Sequence, residues 1–402
     1  MKILMVNKFL YPRGGSESYM LSLGAHLEKM GHEVEYFGMY DEKNTKGNSA
    51  EKYTQNMDFH SNGAGRFLYP FKIIYSFEAK KKIMQVIERF KPDIVHMNNI
   101  NFQLTPSIIY GIKKKKIPLV QTVHDYQMIC PNHLLYNFDK NCPCEKCVNG
   151  SLISCIKNKC IHGSAVKSVL GVVEAKLYSW LRTYKKVDLF ICPSNFLEKK
   201  LLVAKKYYKG KTKTIHNFIN KEAFEPSDRK EDDYIVFAGR LSKEKGIGHL
   251  AETARLLPEY TFRVAGSGPD ADILKSIPNI RLEGFLEGET LTELMKSAKV
   301  LLLPSVCYEN CPLSILEAHS MGVPVVTMNS GGMAELVKDG VTGTLVNEPT
   351  PEGIAHKLKE TIENEEYYNT LKENCRNEKD NILSVESYAD ILIKEYEKLN
   401  AR

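Results

Sequence analysis

No stretch of this 402-residue chain approaches the roughly 18 to 20 consecutive uncharged apolar residues that a membrane span needs. No signal-peptide pattern opens it either: Met1-Lys-Ile-Leu-Met-Val-Asn runs straight into a strand pattern, so the expected location is the cytoplasm. Compositional bias is lacking too. A content of 43% hydrophobic and 26% charged residues excludes fibrous, collagenous and disordered chains and leaves an ordinary globular protein of two or three units. Acids are scarce in the first half, where residues 1–214 hold 34 Lys/Arg against 17 Asp/Glu, while the rest holds 21 against 32. This opposition predicts two domains with separate partners, the basic one facing a lipid surface, a phosphate-bearing acceptor or nucleic acid. A lysine-rich surface with no dedicated partner would look the same. The basic half carries no recognised nucleic-acid motif, so no nucleic-acid partner is expected.

What is present is a repeated grammar. Ile3-Leu-Met-Val-Asn reads as a buried strand, Arg13-Gly14-Gly15-Ser16-Glu17 as a turn, and Tyr19, Met20, Leu23, Leu27 and Met30 as one face of a helix. Strand runs return at Val34, Ile94, Leu119, Leu189 and Thr214, then, after a polar stretch from Asn220 to Asp233 read as a linker, at Tyr234, Thr261, Ile280, Val300, Pro324 and Gly343. Strands alternating with helices predict parallel sheets covered on both faces, hence two doubly wound α/β domains in tandem. The expected boundaries are 1–214, with a Cys-rich loop at 130–164, then 215–384, then a C-terminal helix at 385–402 packing back on the first domain. Tyr388, Ile391, Leu392 and Tyr396 share one face of that helix.

Ligands of such sheets bind beyond the carboxyl ends of the strands. Pro304-Ser-Val-Cys-Tyr-Glu309-Asn310-Cys-Pro312-Leu313-Ser-Ile-Leu-Glu317 leaves a strand, turns and enters a helix. Its two carboxylates flank the free N–H groups of the helix start, an arrangement suited to a diphosphate with hydroxylated groups on either side. After another strand, Gly239-Arg240-Leu-Ser-Lys243-Glu-Lys245-Gly246 offers a guanidinium fork and a mobile ammonium for phosphate oxygens. Gly14-Gly15 and Gly331-Gly332 bring backbone close to helix N-termini, each explicable as a simple strand-to-helix turn.

Taken in order, these motifs resemble the retaining glycosyltransferases of family 4. The resemblance rests on Gly14-Gly15, Gly239-Arg240 with Lys245-Gly246, Gly266-Ser-Gly268-Pro269, Glu309-x7-Glu317-Ala, Gly322-Val-Pro-Val-Val, Gly331-Gly332 and Asp339-Gly-Val-Thr-Gly, and it spans nearly the whole chain. It implies the GT-B fold, two Rossmann-like domains facing a central cleft. It further implies transfer of a hexose-type sugar from a UDP- or GDP-type donor to a glycan or lipid-linked acceptor, in cell-surface polysaccharide or glycolipid synthesis. By resemblance Arg240 and Lys245 hold the diphosphate, Glu309 the sugar hydroxyls and Glu317 the ribose. Gly14, Gly15, Asn310 and Leu313 complete the donor contacts, and His124 lies beside the transferred sugar. Asn310-Cys311 departs from the Gly-Phe usual after the first acid; Asn tolerates the left-handed conformation such a turn can require.

The resemblance implies no metal in catalysis, and Asp270-Ala-Asp272, which opens a helix, reads as a cap in place of a metal site. Gly266-x-Gly268-x-x-Ala271 also fits a dinucleotide fingerprint, so an NAD-dependent oxidoreductase is the alternative class, with a nucleotide-sugar epimerase as a second. Six of the ten cysteines crowd between Cys130 and Cys160. Cys142, Cys144, Cys147, Cys155 and Cys160 form the pool from which a structural zinc would draw four thiolates, with disulfides and free thiols the other readings. Tyr69-Pro-Phe-Lys-Ile-Ile-Tyr-Ser-Phe, Lys80 to Lys82 and Lys113 to Lys116 offer aromatic and cationic groups for peripheral contact with an anionic inner membrane face.

Overall fold

Apolar runs of four or five residues become strands buried on both faces once helices cover the sheet from each side. The computed structural model describes residues 1–56, 69–148, 150–226 and 232–401; Ser227 and Asp228 of the expected linker, and the side chains of Tyr69 to Phe71, lie outside the described residues. In chain order the elements are β1 (Lys2–Val6), α1 (Gly15–Lys29), β2 (Glu33–Phe37), α2 (Tyr69–Ile74), α3 (Phe77–Phe90), β3 (Ile94–Met97), α4 (Ile108–Lys114), β4 (Leu119–Thr122), β5 (Tyr136–Asn137), β6 (Cys142–Pro143), α5 (Ile153–Lys157), α6 (Ala165–Trp180), β7 (Leu189–Cys192), α7 (Asn195–Ala204) and β8 (Thr212–Thr214). They continue as β9 (Tyr234–Ala238), α8 (Ile247–Leu256), β10 (Thr261–Ala265), β11 (Ile280–Gly284), α9 (Gly288–Lys296), β12 (Val300–Leu303), α10 (Leu313–Ser320), β13 (Val325–Met328), α11 (Met333–Leu336), β14 (Gly343–Val346), α12 (Pro351–Glu363), α13 (Glu365–Glu378) and α14 (Val385–Asn400).

Two six-stranded sheets result, ordered β2-β1-β3-β4-β7-β8 and β11-β10-β9-β12-β13-β14, every pairing parallel. The second has the doubly wound order, with its direction reversing between β9 and β12, where Val300 pairs with Ile235. Residues 1–135, 145–216 and 385–402 group into one compact unit, and residues 136–144 and 217–384 into a second. The Cys-rich loop read from sequence as part of the first domain is therefore divided. The β5–β6 hairpin it contains joins the second unit, where Lys243 Nζ donates to Phe138 O at 2.5 Å.

Helix α14 belongs to the first unit. Tyr388 and Tyr396 are fully buried there: Tyr388 and Tyr19 share a hydroxyl hydrogen bond of 2.7 Å, and Tyr396 Oη lies 2.5 Å from His96 Nδ1. His96 Nε2 in turn meets Thr122 Oγ1 at 2.8 Å. These polar contacts satisfy hydroxyls that burial would otherwise leave costly.

Candidate functional site

In the second unit the loops after β9, β10, β12 and β13 converge at the carboxyl ends of the strands. Gly246, at φ +77°, makes the first approach possible: a Cβ there would stand 1.9 Å from Pro304 O. Glu244 fastens the same two loops, its carbonyl accepting from Val306 N at 3.0 Å and Cys307 N at 3.3 Å, its carboxylate from Ser242 Oγ at 2.6 Å. Gly331, at φ +59°, does likewise for the next loop, since a Cβ would lie 2.7 Å from Glu309 O; Gly332 N donates to that oxygen at 2.7 Å. The Gly-Gly pair thus shapes the Glu309 turn from behind.

Glu309 accepts from Lys245 Nζ at 2.5 Å and from Ser305 Oγ at 2.9 Å. Burial works to lower the Lys245 pKa, but Glu309, with Cys307 and Glu244, outweighs it and the net shift is upward, so the ammonium stays charged. Helix α10 begins directly after this turn with Pro312 in the cap position and no side-chain cap, which leaves the Leu313 and Ser314 N–H groups and the positive end of the helix dipole available to an anion. Glu317, just over one turn along, is half-buried, and burial alone raises its pKa to about 7. Arg240 is exposed at the end of β9. Asn310 is not among the residues with positive φ. The turn therefore does without the left-handed conformation suggested for it, and Asn217 Nδ2 closes it by donating to Cys311 O at 2.9 Å.

In the first unit Gly14 caps α1 with extended backbone and no side-chain hydrogen bond. Buried Glu17 occupies that helix start and accepts from Asn7 Nδ2 at 3.0 Å, so an acid already complements the dipole there. His124, two residues beyond β4, donates from Nε2 to Asn98 Oδ1 at 2.9 Å and stands edge-on to Tyr19 at 5.0 Å. Burial lowers its pKa to about 4, Asp125 opposing the shift, and the ring is neutral at pH 7. Sequence reasoning missed Asn98, whose buried Nδ2 makes no hydrogen bond. An unpaired donor beside His124 is a place for a ligand oxygen, and its only signal in sequence was its position after the Ile94-Val-His-Met strand.

At Asp270 and at Gly266 the structure departs from what the sequence suggests. Asp270 makes no capping bond to the short turn Ala271–Ile273, and Asp272 bridges Lys275 at 2.6 Å in a turn too short to present helical N–H groups. The dinucleotide reading of Gly266 and Gly268 fails for lack of space and of a helix: Cβ atoms there would stand 1.8 Å from Gly239 O and 2.2 Å from Leu241 O, so the glycines admit neighbouring backbone. The cysteine pool is split, Cys142 and Cys144 in the second unit, Cys147, Cys155 and Cys160 in the first. Cys155 and Cys160 pack together with Val172 and Cys147, and Cys130 lies near enough to Cys147 and Cys160 for their charge to oppose its ionisation. Among the described residues no three His, Cys, Asp or Glu are grouped to hold a metal ion.

The family model for Glycosyltransferase Family 4 matches residues 13–223, and that for Glycosyl transferases group 1 matches residues 218–378. A protein of the cps region of Klebsiella pneumoniae is 26% identical over 84% of this chain and 87% of its own length. The UDP-Gal:alpha-D-GlcNAc-diphosphoundecaprenol alpha-1,3-galactosyltransferase of Escherichia coli is 29% identical over 54% of this chain and 62% of its own. Matches to two further relatives span 51% and 59% of those proteins. Among solved structures, sucrose-phosphate synthase from Thermosynechococcus elongatus superposes with a TM-score of 0.72 at 17% identity over 100% of this chain and 99% of that one. HepE of Anabaena, solved with UDP and glucose, superposes with a TM-score of 0.70 at 17% identity over 99% and 100%. With two doubly wound parallel sheets and the Lys245–Glu309 pair at the switch point of the second, the chain belongs to glycosyltransferase family 4 and has the GT-B fold.

Proposed function

We propose that this glycosyltransferase moves a hexose from a UDP- or GDP-type nucleotide sugar to a glycan or lipid-linked acceptor, with retention of anomeric configuration, in the building of a cell-surface polysaccharide. The observation that carries the reading is the Lys245–Glu309 pair set beside the uncapped start of α10. Together they form a cationic, hydrogen-bond-donating seat for a diphosphate next to a carboxylate for sugar hydroxyls. HepE, solved with UDP and glucose and with UDP-glucose, and the UDP-Gal:alpha-D-GlcNAc-diphosphoundecaprenol galactosyltransferase of E. coli support the donor and acceptor classes.

In the proposed reaction the bond between the anomeric carbon and the diphosphate oxygen breaks with its electron pair going to the diphosphate. Arg240, Lys245 and the Leu313 and Ser314 N–H groups stabilise that charge as it develops, which is where preorganised donors contribute most. The acceptor hydroxyl then bonds to the oxocarbenium-like carbon on the face just vacated, and its proton passes to the departing diphosphate oxygen. Glu317 receives the ribose hydroxyls. In the first unit, neutral His124 and the free Asn98 Nδ2 offer hydrogen bonds to a sugar hydroxyl. The reading asks for no catalytic metal, since it gives the neutralisation of the leaving group to two cationic side chains and a helix start, and it assigns the protein to the cytoplasmic side of a membrane. Mass spectrometry of products from a panel of UDP- and GDP-sugars, run with and without chelator, tests it: one added hexose per acceptor is expected in both arms, and no transfer from any donor overturns it.

A further inference from the structure

We infer that α6 is an interfacial membrane anchor that lays an apolar stripe into an anionic bilayer. The inference deepens the proposed use of a lipid-linked acceptor and rests on that reading. On an ordinary surface helix the solvent face is charged. Here Val166, Val169, Val173 and Trp180 follow one another at helical spacings of three, four and seven and are 71%, 42%, 45% and 79% exposed. Half-buried Leu170 and Leu177 border the same stripe. The opposite face is well seated: Ser168, Gly171, Val172, Glu174 and Tyr178 are buried, and Tyr178 Oη donates to Ile74 O at 2.6 Å. The helix therefore cannot roll to hide its apolar side. Helix α5, packed against it, exposes Ile153 in addition.

Charge names the occupant. From Gly150 to Val187 the chain carries seven cations, Lys157, Lys159, Lys167, Lys176, Arg182, Lys185 and Lys186, and a single acid, Glu174. That acid is buried on the inner face. Lys176, three residues after Val173 and four before Trp180, sits exposed within the stripe, while Arg182, Lys185 and Lys186 follow the helix end directly. Apolar side chains with an indole at one end and a surround of unopposed cations match the headgroup boundary of an anionic membrane. A protein partner of the usual mixed polarity would leave these cations unmatched. Of the cations expected from sequence to meet the membrane, three are engaged within the protein: Lys82 pairs with Glu78 at 2.7 Å, Lys113 with Asp188 at 2.7 Å and Lys115 with Glu88 at 3.0 Å.

Trp180 is the only tryptophan of the chain, so its emission reports on this helix alone. The full-length protein is titrated with vesicles of phosphatidylglycerol in phosphatidylcholine and with pure phosphatidylcholine, at low and at high salt. The inference predicts co-sedimentation with the anionic vesicles, a blue shift of Trp180 and quenching by bromine placed in the upper acyl chain, all weakened by salt. The double variant Val169→Glu/Val173→Glu is expected to lose roughly tenfold or more of the partitioning while keeping the parent's affinities in parallel titrations with UDP and GDP, which separates failure of the anchor from failure of the transferase reading. Sedimentation without a shift or quenching of Trp180 overturns the inference, as does no sedimentation. A blue shift that grows with protein concentration in the absence of vesicles also overturns it, in favour of a second copy on this face.

Discussion

Glu317→Gln separates stability from function in a way the structure makes quantitative. Burial raises the Glu317 pKa from 4.5 to about 7, so between those values the folded chain holds a proton that the unfolded chain has released. Stability contributed by this group therefore falls as pH rises from about 4.5 to about 7 and is level above. The full shift corresponds to about 3 kcal/mol at 1.36 kcal/mol per pH unit, and the remaining solvent contact of this half-buried side chain brings it to about 2 kcal/mol. Glutamine has no proton to lose. The variant should be more stable than the parent by about 2 kcal/mol at pH 8 and equal to it near pH 4, as read by urea unfolding followed by circular dichroism. Donor binding should move oppositely. On the proposed reading ribose hydroxyls donate to the ionised carboxylate, so affinity for the donor's nucleoside diphosphate, UDP or GDP, rises in the parent as pH increases towards 7 and then levels. The variant should lose about 1.5–3 kcal/mol of it together with the pH dependence. A variant that is less stable at pH 8, or that binds the parent's nucleoside diphosphate as the parent does, refutes the assignment of Glu317 to the ribose.

Arg240→Ala, at an exposed position, should leave the unfolding midpoint unchanged and cost about 1.5–3 kcal/mol in donor affinity or turnover, measured by calorimetry and initial rates. Gly331→Ala puts a Cβ against Glu309 O in a left-handed conformation; a loss of about 1–3 kcal/mol of stability is expected, with a rise in the donor KM as the Glu309 turn shifts. A double-mutant cycle on Lys245→Met and Glu309→Gln should give a coupling of about 1–3 kcal/mol, because either change alone strands the partner in a largely enclosed site. His124, with a folded pKa of about 4 against 6.5 unfolded, costs stability as pH falls from about 6.5 towards 4. His124→Gln should remove its share of that acid sensitivity and lower turnover, seen in parallel pH series of unfolding and rate.

The strands were legible because a parallel sheet covered on both faces needs continuous apolar runs, and Ile94–Met97 or Val300–Leu303 can hardly be anything else. The positions of Glu309, Glu317, Arg240 and Lys245 were legible for a related reason: each lies within a few residues of a strand's carboxyl end or of the helix that follows. Tyr388, Leu392 and Tyr396 announced a buried helix face by spacing alone, and all three are fully buried. What escaped depends on contacts between residues far apart in the chain. The β5–β6 hairpin has strands of two residues, too short for any periodicity, and its allegiance to the second unit is fixed by neighbours such as Lys243. Cys155 and Cys160 pack with Val172 of α6, and Cys130 comes near Cys160, which no spacing of cysteines encodes. Nothing in sequence distinguishes the exposed stripe of α6 from a core face, since Val166, Val169 and Val173 have the same spacing whether they point inward or outward.

The central claim, transfer of a hexose with retention from a nucleotide sugar, is tested most directly by proton NMR of the first-formed product. The protein is incubated with its UDP- or GDP-hexose donor and an acceptor while the anomeric signal is followed in time. The account predicts that the product's anomeric coupling matches the donor's configuration from the earliest spectra and that Lys245→Met suppresses its formation. A product of inverted configuration, or steady nucleotide binding at Arg240 and Lys245 without transfer to any glycan or lipid-linked acceptor, contradicts it.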